Sequence, residues 1–266
     1  MIYVISHERS GTHLCINTIV KTAGAPVDLY NVGEWFGPYD NPGRFEHIDR
    51  FRDDCFDRTS FDLVKSHCDY GLYKSAYPYS DHVIYVIRHP FGVLNSWWRY
   101  LQQEEFYVNN PRVPRFGFRS ISEFLRAPCN GFIRWSYSLR GDHDNVVERW
   151  ANHVAGWWNK HDTVSYESLV AEGHDDRGSS LETIRWAAAH IRGQDEVAND
   201  IKLNRVVFGE MESVLPWKGQ ADGWKDTFSE EDKQFVRDVT ERVMVQSHSG
   251  PSPLRVQLFE RFGYIL

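Results

Sequence analysis

The sequence has little cysteine. Cys15, Cys55, Cys68 and Cys129 are scattered over 266 residues with no Cys-x-x-Cys pair. That spacing argues against a disulfide framework or a zinc ribbon and reads as reduced thiols in a core or pocket. No apolar run approaches the ~18 residues of a membrane span. The chain opens directly on Ile2-Tyr3-Val4-Ile5, without a basic and then apolar leader, so no signal peptide and a cytoplasmic location are expected. No Asn-x-Ser/Thr sequon occurs, and no Gly-Lys dipeptide, which excludes a Walker A loop. Basic residues are not in excess either. Lys and Arg number 30 against 37 Asp and Glu, a net charge of -7, which argues against nucleic acid or an anionic membrane as partner.

Aromatic residues are abundant, with 10 Trp, 13 Tyr and 16 Phe, or 15% of the chain. Charged residues at 25% and hydrophobic ones at 41% describe an ordinary soluble globular chain. The length suits one large domain or two small ones and buries a core without disulfides or metals. There is no internal repeat, heptad run or low-complexity segment.

Residues 2–6 read as a short buried strand, followed by a polar loop, Ser6 to Gly11. A helix is expected over 12–23, with Ile16, Ile19, Val20 and Ala23 at helical spacing and Gly24 and Pro26 as its stop. Further strands are expected at Phe61–Ser66, His82–Ile87 and Asp162–Tyr166. Pro90 begins a helix to about Leu101. Residues 145–160 carry Val147, Trp150, Val154, Trp157 and Trp158 along one helix face, and two more helices are expected at 180–192 and 229–246. Residues 103–118, with Pro111 and Pro114, read as a long irregular lid or acceptor-binding loop. Strands alternating with helices imply an α/β sandwich with a mainly parallel sheet. Ligands of such sheets sit beyond the carboxyl ends of the strands, here the loops after residues 6, 66, 87 and 166.

Those loops hold the unusual residues. Arg9-Ser10-Gly11-Thr12-His13 enters a helix, so backbone N–H groups, the helix dipole and side-chain donors form a cradle for an anion, most naturally phosphate. Lys65 and His67 lie two apart at a strand end, on one side, pairing a fixed cation with a group that accepts a proton near neutral pH. Arg88, with Ser96 on the next helix, offers a guanidinium fork and a hydroxyl for a second phosphate. Tyr166-Glu167 follows the last strand, and Trp217-Lys218-Gly219 with Gly223-Trp224-Lys225 forms a basic, glycine-containing loop. Each element also has an ordinary structural reading: a capped turn, a core histidine, an arginine paired to a structural carboxylate. His143 and His174 lie in polar loops and read as structural or solvated.

Taken in order, these elements resemble the family of sulfotransferases that use 3′-phosphoadenosine 5′-phosphosulfate (PAPS), in its soluble, cytosolic-type branch. The resemblance spans residues 2 to about 235. It implies a single domain over 1–266, a three-layer α/β/α sandwich with a P-loop-like phosphosulfate loop. In that reading Arg9, Ser10, Gly11, Thr12 and His13 hold the 5′-phosphosulfate, and Lys65-Ser66-His67 is similar to the family's Lys-Thr-His, whose His is the general base. Arg88 and Ser96, eight apart, correspond to the 3′-phosphate site, Tyr166 lies near the adenine, and Lys218 and Gly219 belong to the closing loop. The sequence departs from the family pattern at His13, at Leu14 where a Trp stacks on adenine, and at Trp217 where an Arg precedes Lys-Gly. The dimer motif of some animal members is matched poorly at Lys225, Ser229, Glu230 and Gln234, which leaves monomer and homodimer open.

The activity so implied is in-line transfer of a sulfonate from PAPS to a hydroxyl, with an amine as second choice, on a small molecule or glycan, releasing PAP. His67, Lys65 and Arg9 form the catalytic set, and no metal is needed. Trp97, Tyr107 and Phe116 are candidates for acceptor binding. Two rivals remain: a related nucleotide-dependent kinase, which the missing Gly-Lys loop disfavours, and a non-catalytic nucleotide- or sugar-binding module.

Overall fold

The computed structural model describes residues 1–31, 36–37, 61–76, 82–109, 117–129, 134–135, 143–170, 180–193, 223–247 and 258. Five strands form one sheet: β1 (Ile2–Ser6), β2 (Leu29–Asn31), β4 (Leu63–Ser66), β5 (Val83–Ile87) and β7 (Asp162–Ser165), in the order β2-β4-β1-β5-β7. Every pairing in it is parallel. A separate two-stranded antiparallel pair joins β3 (Phe36–Gly37) to β6 (Arg134–Trp135). Helices among the described residues are α1 (Thr12–Ala23), α2 (Tyr70–Ala76), α3 (Pro90–Leu101), α4 (Glu104–Asn109), α5 (Ile121–Arg126), α6 (Val146–Trp157), α7 (Tyr166–Val170), α8 (Ser180–Ile191) and α9 (Glu230–Ser247). None is long and apolar enough to cross a membrane.

The sheet is buried on both faces, which explains its continuous apolar strands. Alternate residues divide between two cores. Tyr3, Ile5, Tyr85 and Ile87 pack against Trp150, Val154 and Trp157 of α6 and Val243 of α9. Ile2, Val4, Ile84 and Val86 pack against Leu14, Ile16 and Ile19 of α1 and Ile184 of α8. Those two layers of helices around one sheet are the expected three-layer sandwich. A third core joins α3, α5, α6 and α9 through Leu94, Trp97, Phe124, Val147 and Val236. The aligned register, Ile5 opposite Ser66, Ser6 opposite Val86 and Ile87 opposite Ser165, ends four strands at one level. Their loops therefore start side by side.

Local chemistry sets several boundaries. Gly24 ends α1 in a left-handed conformation (φ 60°), its N–H bonded to the Val20 carbonyl. Pro90 opens α3, and the Asn145 side chain caps α6 by accepting from the N–H groups of Val147 and Glu148. Ser229 accepts from the Asp232 N–H just before α9. Two expectations need correction. The segment expected to be irregular from 103 contains α4, because Glu104–Asn109 lacks the prolines that follow it. The last strand stops at Ser165, and Tyr166 begins α7, where Ser165 Oγ accepts from the Ser168 N–H. Cys15, Cys68 and Cys129 are buried and unbridged, and Cys55 lies outside the described residues.

Candidate active site

The first loop leaves β1 at Ser6. Its hydroxyl donates to the His7 carbonyl at 2.8 Å and shares a 2.5 Å hydrogen bond with the Thr12 hydroxyl, tying the strand end to the start of α1. Between them the chain turns sharply, with Arg9 (φ 63°) and Gly11 (φ 96°) both left-handed. Gly11 is required twice over. A side chain there is strained by the backbone, and a Cβ would run into the Tyr166 ring. Helix α1 has no side-chain cap and no acidic residue in its first turn, so its dipole is not neutralised there. The Ser10 hydroxyl is buried and meets no hydrogen-bond partner among the described residues.

The second loop brings Lys65, buried at the end of β4, and His67, partly buried. His67 Nδ1–H donates to the Ser6 carbonyl at 2.9 Å. That assigns the tautomer and leaves Nε2 as the unprotonated nitrogen. Burial first, and then the Lys65 charge, hold His67 well below the usual imidazole range. His13 is drawn down to about 4 by burial and by the charges of Lys65 and Arg9. Both rings are therefore neutral near pH 7.

The third and fourth loops complete a cationic cluster. Arg88 donates through Nη1 to the Arg9 carbonyl at 3.1 Å, and its guanidinium lies 3.9 Å from the centre of the Tyr166 ring. Arg9 donates through Nε to Ser96 Oγ at 3.2 Å and lies 4.4 Å from the centre of the Tyr100 ring. Burial lowers Arg9 to about 10, with the neighbouring Arg88 charge adding to the effect against the Tyr100 hydroxyl. Neither arginine meets a carboxylate among the described residues, and Arg88 Nε is buried without an acceptor. A Cβ on Gly92 would stand 2.9 Å from that nitrogen, so the glycine makes room for the side chain. Glu167 accepts from the His89 N–H at 3.1 Å, joining the fourth loop to the start of α3. Trp224 stacks on His89 with centroids 4.8 Å apart, and Asn95 donates to the Gly223 carbonyl, so the glycine-containing loop reaches the same helix.

Arg9, Ser10, Gly11, Thr12, His13, Lys65, His67, Arg88, Ser96 and Tyr166 thus come together at the carboxyl ends of β1, β4, β5 and β7. Lys218, Gly219, Trp217 and Phe116 lie outside the described residues, as does His174. His143 is buried beside the Asn152 amide. Trp97 is only 4% exposed and packs in the third core, 6.2 Å from the Phe124 ring by centroids. Tyr107 is partly buried, its hydroxyl donating to the Leu101 carbonyl at 2.9 Å.

Sequence reading gave no role to a buried polar network beneath the loop. Glu8 Oε1 accepts from Arg149 Nη2 at 2.8 Å, with both side chains almost sealed from water. His153, one turn along α6 from Arg149, donates through Nε2 to the Cys68 carbonyl at 3.1 Å, near the His67 carbonyl as well. Its Nδ1 accepts from the Tyr85 hydroxyl at 3.0 Å. Burial and then Arg149 lower His153 to about 3. Burial pushes Glu8 up while Arg149 pulls it back. The available signal was Arg149 and His153 standing four apart among the apolar residues of α6.

Two guanidiniums without a carboxylate and a Ser10 hydroxyl without a partner among the described residues, at a helix start with no side-chain cap, suit a ligand bearing several phosphate or sulfate groups. No protein-family model matches the chain, and no curated protein is significantly similar to it in sequence. Solved structures are similar. A mouse sulfotransferase, SULT7A1, complexed with PAP, is 16% identical over 98% of this chain and 88% of that one, with a TM-score of 0.49. A retinol dehydratase in complex with retinol and PAP is 14% identical over 95% of this chain and 83% of its own, with a TM-score of 0.51. At such identity the second likeness speaks for the fold, and the chain therefore has the α/β/α architecture of that retinol dehydratase, the architecture its motifs imply.

Proposed function

We propose that this chain is a PAPS-dependent sulfotransferase that moves a sulfonate to an acceptor hydroxyl, or to an amine as second choice, and releases PAP. The observation that carries this reading is the convergence of Arg9, Arg88 and Ser96, with no carboxylate on the two arginines among the described residues, beside a histidine whose Nδ1–H is held by the Ser6 carbonyl. The fold shared with a protein whose structure holds retinol and PAP supports the same reading.

In this reading Ser10, Thr12, His13 and the first N–H groups of α1 take the 5′-phosphosulfate, and Arg88 with Ser96 takes the 3′-phosphate. Gly11 lets Tyr166 close on the loop, with the adenine beyond it, and Lys218 and Gly219 complete the 3′-phosphate side. His67 Nε2 accepts the acceptor's proton as its oxygen attacks sulfur. The new S–O bond forms as the bond from sulfur to the bridging phosphate oxygen breaks, and that oxygen keeps the electron pair. Lys65 and Arg9 stabilise the charge growing on it as fixed electrostatics. The low basicity of His67 among cations has a consequence. A bound polyanion reverses the local field and raises its proton affinity just when acceptor and donor are both present. Trp97, Tyr107 and Phe116 are the aromatic candidates for acceptor contacts, on the segment 103–118 or leading into it.

The test is a PAPS-consumption screen across phenols, alkyl alcohols, amines and glycans, with PAP detected as product. Turnover with one acceptor class is expected. PAP failing to bind, or ATP turning over in its place, would refute the assignment.

A further inference from the structure

Helix α6 reaches the site by three buried contacts at one-turn intervals. Arg149 holds Glu8 of the first loop, His153 donates to the carbonyls at His67 and Cys68 in the second, and Trp157 Nε1 donates to the Cys68 carbonyl at 3.0 Å. One rigid element therefore grips both loops that carry the reacting groups. The grip on the first loop falls immediately before Arg9, the one non-glycine residue of that loop with a left-handed backbone. Such a conformation persists only where its surroundings impose it. On the other side, the Ser10 N–H bonds back to the His7 carbonyl at 3.2 Å and Arg88 holds the Arg9 carbonyl at 3.1 Å. Glu8 and Arg149 are 6% and 5% exposed, so the pair is neither a surface decoration nor in reach of a bound ligand's solvent side.

We infer that the Glu8–Arg149 ion pair is a positioning device that holds Arg9 in its left-handed conformation and in register with His67, a role that rests on the sulfonate-transfer reading above. Buried ion pairs as such contribute little net stability, because desolvation offsets their attraction. A pair kept for geometry and a pair kept for stability therefore respond differently when both charges are removed together.

The deciding variant is Glu8→Leu combined with Arg149→Met, an apolar pair of similar volume. It is expected to keep its Tm near the parent's. Its crystal structure should show Arg9 out of the left-handed region and its bond to Ser96 lost. With PAPS and the acceptor found in the screen, kcat should fall by roughly tenfold to a hundredfold, a larger loss than that in PAP affinity, which Arg88, Ser10, Thr12 and His13 still support. Glu8→Gln, which keeps the shape and one hydrogen bond, provides a second variant if the double one does not fold, and should show a smaller loss of the same kind. Unchanged Arg9 geometry and kcat in a stable variant overturn the inference. So does a loss in which Tm, PAP affinity and kcat fall together, which marks the pair as structural support. A parent that neither binds PAP nor consumes PAPS refutes the functional reading, and the Arg9 geometry of the variant then decides the pair's role alone.

Discussion

On the inner side of the first loop, Glu8 and Arg149 meet at 2.8 Å and are closed off from water. On its outer side, Arg9 and Arg88 lie together with no carboxylate among the described residues. The two regions are built from the same chemistry and handled oppositely. In the inner pair the two charges offset each other within the chain and present no net charge to a ligand. Two guanidiniums held side by side raise the energy of the ligand-free protein and release it when an anion arrives. The contrast separates charges that shape the first loop from charges left open to a ligand.

The harshest way to break the comparison is at His67, where inner and outer regions join. His67→Ala is expected to lower kcat by about 10²–10⁴ with Kd for PAP nearly unchanged, measured by steady-state kinetics and calorimetry. An unchanged kcat removes His67 from the role of base. Next is the outer region. Arg88→Met should weaken PAP binding by about 1.5–3 kcal/mol and leave adenosine 5′-phosphosulfate, which lacks the 3′-phosphate, nearly unaffected. Its Tm should stay near the parent's, because the lost Nη1 bond to the Arg9 carbonyl is offset by removing a buried Nε with no acceptor among the described residues. A falling Tm with equal losses for both nucleotides would place Arg88 with the inner, structural groups.

The smallest effect is on pH. His7, His13, His67 and His153 all have folded values below the ordinary imidazole value, burial being the first cause in each. The unfolded chain then binds protons more readily than the folded one. The resulting stability is full above about pH 6.5 and is lost as the pH falls toward the folded values. For two of these rings the folded values are about 4 for His13 and about 3 for His153. Thermal scans from pH 7.5 down to 4.5 should show Tm level to about pH 6.5 and declining below it. PAP should offset part of the decline, since its phosphates favour the protonated form of His13 on the outer side and leave His153 untouched.

Much of this was legible from the residues. The β-branched run Val83–Ile87 and the proline at the start of α3 gave their elements almost to the residue, because burial on both faces and a fixed φ are local demands. The parallel sheet then placed the chemistry-bearing loops at one edge. Short elements escaped. Strand β2 is three residues long, and α5 rests on a Ser120 cap that accepts from the Glu123 N–H while the Glu123 carboxylate accepts from the Arg119 N–H, followed by a single buried Phe-Leu pair. The Glu8–Arg149 contact was beyond sequence reading. Arg149 received no reading from the sequence, and its place follows only from α6 lying between the first and third cores, with Trp150 and Val154 in one and Val147 in the other.

The Gly11 contact with Tyr166 and the Glu8 contact with Arg149 each join residues separated by most of the first two-thirds of the chain. During synthesis the first loop therefore leaves the ribosome long before anything exists to shape it. The anion site cannot preform on an N-terminal fragment and arises only when β7 has docked and α7 follows. A truncated product ending before residue 166 would lack the Tyr166 side of the loop even with its first three loops intact.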